Sequence, residues 1–176
     1  MREIMSSEAI NEAMNRMADE ILIRNKDHKS LTIVGIFTRG VSIAKKLKGI
    51  LEQKTGIKDI PFGTIDITLY RDDVSEIYEQ PKAKGAVIDF EVTNKNIILV
   101  DDVLYTGRTV RAALDEIIDF GRPATIQLLT MVDRGGHEFP ITADYCGYYE
   151  ELVNPEYVKV KVADIDGVDL AIVESR

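Results

Sequence analysis

A single cysteine, Cys146, stands among 176 residues, so no disulfide can form within the chain and a reducing cytoplasm is the expected compartment. Long apolar runs are missing too. Stretches such as Ile97–Val100 and Leu31–Val34 fall far short of the roughly 20 residues a membrane-crossing helix needs, and no membrane association is expected. The opening residues MREIMSSEAI carry early charges and lack the apolar centre of a secretory signal. There is no internal repeat and no low-complexity tract. Net positive charge is absent: the formal charge of -8 argues against a protein that coats nucleic acid by charge alone. Neither His28 nor His137 sits in a pattern with a nucleophile, so no Ser–His–Asp chemistry and no His-based metal cluster is expected, and both are read as surface residues.

What remains is an ordinary globular composition, 45% apolar and 30% charged, of a length that suits one domain over residues 1–176. The charge is unevenly spread. From Arg39 to Lys58 the chain holds Arg39, Lys45, Lys46, Lys48, Lys54 and Lys58 against Glu52 alone, whereas acids dominate after Pro140. Charge by itself leaves two readings of the basic stretch, a solvated helix surface or a local anion-binding face.

Hydrophobic spacing predicts the elements. Ser7 and Glu8 precede Ile10, Met14, Met17 and Ile21, the signature of a capped amphipathic helix ending near Asn25. LTIVGIF (31–37) reads as a strand buried on both faces. A second helix opens at Gly40 and closes at Gly56. FGTIDITLY (62–70) is a strand, and the charged stretch 71–92 is a long loop of the kind that serves a function. NIILVDD (96–102) is a buried strand, followed by a helix over about 108–120 and a strand at 125–132. ADYCGYY, YVKVKV and DLAIVE read as short strands near the end. The alternation predicts an α/β fold with a mainly parallel sheet flanked by helices and antiparallel strands late in the chain. Ligands of such sheets sit beyond the carboxyl ends of the strands. Three of those ends are polar here: Thr38-Arg39-Gly40, Asp101-Asp102 and Asp133-Arg134-Gly135.

The segment IILVDDVLYTGRT (97–109) carries the chemistry. A buried strand delivers Asp101 and Asp102, whose carboxylates can accept hydrogen bonds from vicinal hydroxyls or help to hold Mg²⁺. Thr106-Gly107-Arg108-Thr109 then enters a helix. Gly107 permits close approach of the backbone, the helix start presents free N–H groups, and two threonine hydroxyls add donors, which together make a phosphate site. Acids for hydroxyls beside donors for a phosphate describe a ribose 5-phosphate.

VDDVLYTGRT resembles the 5-phosphoribosyl-1-pyrophosphate (PRPP) motif of type I phosphoribosyltransferases. The wider set, TRG at 38–40, DITLYRDD at 66–73, ILVDDVLYTGRTVRAALD at 98–115, GRP at 121–123, IQL at 126–128, VDRG at 132–135 and ADY at 143–145, resembles the PyrR family over roughly residues 8–147. The resemblance implies the type I phosphoribosyltransferase fold with a flexible hood loop, and a uracil phosphoribosyltransferase that makes UMP and pyrophosphate with Mg²⁺. It also implies a regulator that binds pyrimidine-operon leader mRNA, and a homodimer or larger homo-oligomer. Asp101 and Asp102 would hold the ribose hydroxyls and the metal. Val103, Leu104 and Tyr105 belong to the same PRPP motif, and Thr106, Gly107, Arg108 and Thr109 would bind the 5-phosphate. Thr38, Arg39 and Gly40 match the pyrophosphate loop. Arg71 would act from the hood, and Asp133 and Arg134 match the element next to the base.

The chain departs from the family after Tyr145. A Gly-Lys-Asn-Ile-Pro-Thr-Ser-like stretch is usual there, but Gly147-Tyr148-Tyr149-Glu150-Glu151-Leu152-Val153 stands in its place. The usual His-Arg after VDRG is Gly136-His137, and the basic residue before ADY is Thr142. Three readings stay open on these grounds: a uracil transferase that also binds RNA, a nucleotide-sensing RNA-binding attenuator with little catalysis, and a transferase for another base.

Overall fold

Residues apolar on both sides of a strand end in the middle of a sheet, and two segments set that middle. Leu31–Ile36 (β2) is buried at all six positions, and Asn96–Leu104 (β5) is buried from Ile97 to Asp101. The computed structural model describes residues 1–67 and 85–175. In it, β2 and β5 lie at the centre of a six-stranded sheet, between β4 (Gly85–Val87) and β3 (Phe62–Asp66) on one side and β6 (Thr125–Asp133) and β7 (Tyr145–Tyr149) on the other. The order is β4-β3-β2-β5-β6-β7, parallel throughout except for the antiparallel β3–β4 pair.

Alternation along β5 sorts the core into two layers. Ile98 and Val100 pack with helices α1 (Ser7–Arg24) and α2 (Arg39–Thr55), while Ile97 and Leu99 pack with α3 (Arg108–Ile118) on the opposite face. The spacing that predicted the helices is the spacing they bury: Ile10, Met14, Met17 and Ile21 on α1, and Val41, Ala44, Leu47 and Leu51 on α2. The Ser6 side chain caps α1 by accepting the Ala9 N–H, and Gly56 ends α2 in the left-handed region at φ 72°.

The late strands divide between two sheets. Glu156–Lys161 (β8) and Leu170–Ser175 (β9) are antiparallel, as expected, with the short helix α4 (Ala163–Asp166) between them. The segment read as ADYCGYY instead forms β7, parallel to β6 at the edge of the main sheet. Its motif residues are structural: Asp144 accepts the Leu128 N–H at 2.8 Å and pairs with Arg24, and the Tyr145 hydroxyl joins a buried network with Gln127 and Asn25. Strand β1 (Arg2–Met5) escaped the sequence reading, because its partner β9 lies at the other end of the chain. Of the long polar stretch, residues 71–84 lie outside the described residues. The remainder adds β4 and buries Ile88 and Val92.

Candidate active site

The site exists because β5 outruns its neighbour. Pairing of β2 with β5 stops at Gly35–Val100, whereas pairing of β5 with β6 continues to Leu104–Asp133. The flank of Asp101–Leu104 that β2 vacates opens into a cavity of about 580 Å³. Both acids line it from within the strand, three and two residues before its end. Asp101 is buried and its Oδ1 accepts the Asp102 N–H at 2.9 Å, while Asp102 is half-buried.

Val103, Leu104, Tyr105, Thr106, Gly107 and Thr109 continue the lining. Gly107 takes φ 88° as the residue before α3 and has no side chain of its own to cap the helix. A left-handed φ favours glycine, and a helix start directs its leading N–H groups into the space in front of it. Thr106 is buried and its Oγ1 accepts the Arg108 N–H at 3.2 Å. The Arg108 side chain points elsewhere. It pairs with Glu138 at 2.6 Å and its guanidinium lies 5.6 Å from the centre of the Phe139 ring, leaving the Arg108 backbone as the part that faces the turn.

Thr38 occupies the cap position at the start of α2, and Arg39 and Gly40 form its first turn beside this cavity, after a cis peptide between Phe37 and Thr38. Ile36 and Phe37 line the cavity directly. Gly40 is pressed against the acid strand: a Cβ there would lie 2.7 Å from the Val100 carbonyl oxygen and 3.1 Å from Asp101 Cα. Arg39 donates from Nε and Nη2 to the two carboxylate oxygens of Asp166, at 3.0 and 2.8 Å. This pairing raises the Arg39 pKa and holds the Asp166 carboxyl below its ordinary value, and Asp102 adds to the field at Arg39.

Asp133 and Arg134, adjacent in sequence, separate in role. Asp133 is buried in its own turn, accepting the Gly135 N–H at 3.0 Å and sharing a 2.8 Å hydrogen bond with His137 Nε2. His137 is thus engaged by a carboxylate, unlike the surface residue expected. Arg134 lines the cavity, is only 6% exposed, and has no hydrogen-bond partner for Nε among the described residues. Its guanidinium lies 4.0 Å from the Tyr105 ring centre. Gly136 makes room for that ring, since a Cβ there would lie 2.7 Å from Tyr105 Cε2.

Asn154–Val158 also line the cavity, and the sequence reading missed them. The Asn-Pro pair signals a turn, but nothing local says that the turn meets the acid strand far earlier in the chain. The departing segment before it serves other contacts: the Tyr148 hydroxyl donates to Glu150, which pairs with Arg2 on β1. The Arg2 bond holds the Glu150 carboxyl below its ordinary range, and the Glu150 bond raises the Tyr148 phenol. Arg71, with Asp72 and Asp73, lies outside the described residues.

The acid pair fits a hard divalent cation in ligand type. Among the described residues no group of three or more His, Cys, Asp or Glu forms a metal cage. A Mg²⁺ held by Asp101 and Asp102 would therefore draw its other ligands from water and substrate oxygens, as this ion commonly does. The basic stretch of α2 is largely neutralised within the chain: Lys46 pairs with Asp169, Lys48 with Glu52 and Asp59, and Lys54 with Asp19.

A parallel sheet with an acid pair leading into a glycine-opened helix start defines the phosphoribosyltransferase class. The model of the phosphoribosyl transferase domain matches residues 2–163. A hypoxanthine phosphoribosyltransferase of Trypanosoma cruzi shares the fold, with TM-score 0.70 over 99% of this chain and 97% of that one at 13% identity. A purine phosphoribosyltransferase of Pyrococcus horikoshii does so with TM-score 0.59, over 84% and 86% of the two chains at 21% identity. Much nearer in sequence are the bifunctional protein PyrR of Deinococcus deserti, 50% identical over 94% of this chain and 90% of that protein, and that of Clostridioides difficile, 50% identical over 95% and 94%. The chain belongs to the PyrR family of phosphoribosyltransferases.

Proposed function

We propose that this protein transfers the 5-phosphoribosyl group of PRPP to uracil, giving UMP and pyrophosphate. The observation that carries the reading is the convergence, on one cavity, of Asp101 and Asp102, the Thr106–Thr109 turn, and the buried donor Arg134. In this reading the two carboxylates accept the ribose hydroxyls, and the Gly107 turn with Thr106 and Thr109 receives the 5-phosphate. Arg39, Thr38 and Gly40 face the pyrophosphate. Arg134, which can only donate, meets a carbonyl oxygen of the base. Asp133 acts on the base through the turn that sets Arg134, and Arg71 closes the site from the hood.

Rupture of the bond from C1 to pyrophosphate leaves positive charge on the sugar and negative charge on the leaving group. Fixed donors and cations stabilise that separation without waiting for solvent to reorient. When bound, Mg²⁺ supplies neutralisation of the pyrophosphate oxygens. The uracil nitrogen forms the new bond to C1 as the bond to pyrophosphate breaks, and its proton passes to the departing pyrophosphate or to solvent, while Ile36 and Val158 add apolar lining to the cavity. Incubation of the purified chain with uracil, PRPP and magnesium is expected to yield UMP. No UMP at high enzyme concentration overturns the proposal, and a panel of other bases reads out selectivity.

A second activity is supported by the bifunctional relatives at half identity: UMP-responsive binding of pyrimidine-operon leader RNA. The internal pairing of Lys46, Lys48 and Lys54 leaves fewer cations for phosphates, so binding is expected only at low salt. A gel shift with the organism's own leader RNA, with and without UMP, tests it, and no UMP-dependent shift removes it. We assign one domain over residues 1–176, supported by the pairing of β1 with β9 across the whole chain. A cytoplasmic location and a homo-oligomeric state complete the proposal.

A further inference from the structure

The C-terminal sheet reaches the pyrophosphate loop through a pair of ion pairs on one face of α2. Arg39 and Lys46 stand seven residues, or about two turns, apart on that helix. They meet Asp166 and Asp169, which bracket the left-handed Gly167 at the end of α4. The two pairs differ in place. Lys46–Asp169 lies away from the acid strand and docks the β8–β9 unit onto the body of α2. Arg39–Asp166 lies at the first residue of α2, beside Gly40 and within the field of Asp102.

The geometry at Asp166 is that of a holder. Its Oδ2 also accepts the Val162 N–H at 2.8 Å, and its own N–H donates to the Val162 carbonyl at 2.7 Å, so the carboxylate has little freedom. Side-chain exposure is 31% for Arg39 and 17% for Asp166, low enough that water competes weakly for the pair. The carboxylate takes Nε and Nη2 of the guanidinium, which fixes its plane. Nη1 makes no bond among the described residues. An unrestrained arginine would have to freeze several torsions on meeting an anion, and a preset one has already done so.

We propose that Asp166 is a positioning residue of the transferase site: it presets the Arg39 guanidinium so that Nη1 is presented to the pyrophosphate group. The inference rests on the proposed reading of Thr38–Gly40 as the pyrophosphate loop. It adds the C-terminal α4 turn, distant in sequence, to the machinery of that loop.

Calorimetric titration with magnesium pyrophosphate needs no turnover, so it separates this inference from the assignment of uracil as substrate. Asp166→Asn keeps an acceptor for the Val162 N–H and removes the charge, and Asp166→Ala removes both. Each is expected to weaken pyrophosphate binding about tenfold, the cost of ordering one long side chain on binding, while UMP affinity stays within about twofold. Asp166→Glu should recover part of the loss. Arg39→Ala, which removes the contact itself, should weaken pyrophosphate at least as much, and the double variant Arg39→Ala with Asp166→Ala no more than Arg39→Ala alone. Lys46→Ala, the docking control, should lower the melting temperature and leave pyrophosphate affinity unchanged. Unchanged affinity in Asp166→Asn overturns the proposal. So does tighter binding, which would make Asp166 a competitor for Arg39, and so do additive losses in the double variant. Absence of UMP synthesis by the wild-type chain, with these affinities as expected, would instead overturn the uracil assignment alone.

Discussion

The guanidinium of Arg134 lies 4.0 Å from the centre of the Tyr105 ring. One residue follows the end of β6 and the other the end of β5, so the stack ties together two strand ends on the rim of one cavity. Among the described residues no carboxylate pairs with Arg134, and the ring face is what holds this buried cation in place.

Replacing the ring should therefore matter more than replacing its hydroxyl. Tyr105→Phe keeps the face and is expected to leave stability and KM for the base nearly unchanged. Tyr105→Ala should cost about 1–2 kcal/mol, the range for a desolvated cation over an aromatic ring. It should also raise KM for the base more than KM for PRPP. Denaturant melts and steady-state kinetics on the two variants check this.

Gly40 leaves no room for a side chain. Gly40→Ala would drive a methyl group into the Val100 carbonyl and the Asp101 backbone, which are not free to move. A loss of about 1–3 kcal/mol is expected from the overpacking, together with a fall in kcat/KM for PRPP. Gly49→Ala, where a Cβ meets nothing within 4 Å, is the matched control and should preserve kinetics.

Asp101→Asn and Asp102→Asn conserve size and keep an oxygen acceptor, so the fold should survive. Each removes a charged acceptor for a hydroxyl, worth about 1.5–3 kcal/mol and hence roughly ten- to a hundredfold in kcat/KM. Circular dichroism alongside the uracil assay separates lost activity from lost structure. Wild-type rates in both variants would contradict the assigned roles.

Acid should weaken the native state in a defined window. Asp166, Glu52 and Glu150 all have carboxyls held below their ordinary range, by hydrogen bonds from Arg39, Lys48 and Arg2 respectively. A folded-state pKa below the unfolded one contributes stability that is complete above the unfolded value, near about 4 for these groups, and is lost as pH falls through the folded value. Melting temperature is expected to fall below about pH 4, with a shallower fall in Asp166→Asn, which lacks one of the groups. A pH series of thermal melts on both proteins gives the comparison.

Much of the architecture was legible from local pattern. The 3.6-residue spacing of Ile10, Met14, Met17 and Ile21 and the all-apolar run of β2 report burial directly, because a side chain's direction follows from its own backbone. The phosphate turn was legible for the same reason: Gly107 and its flanking threonines are close neighbours along the chain. Other parts carried no local mark. Strand β1 is four residues long, and its identity as a strand depends on β9. The cavity contribution of Asn154–Val158 depends on where the second sheet docks. The late acidic residues and the basic stretch of α2 were both visible as charge, yet nothing in their spacing said that Asp166 and Asp169 would meet Arg39 and Lys46.

By itself, then, the amino-acid order determined the alternating α/β plan, the burial of β2 on both faces and the acid pair leading into a phosphate turn, since each is a matter of neighbours along the chain. Tertiary structure decided which partner holds each functional group. It sent the Arg108 side chain to Glu138, Asp133 into its own turn, and Arg39 to a carboxylate 127 residues away. The physical reason is that a charged or polar side chain takes a partner within reach, and reach is set by packing, not by sequence distance.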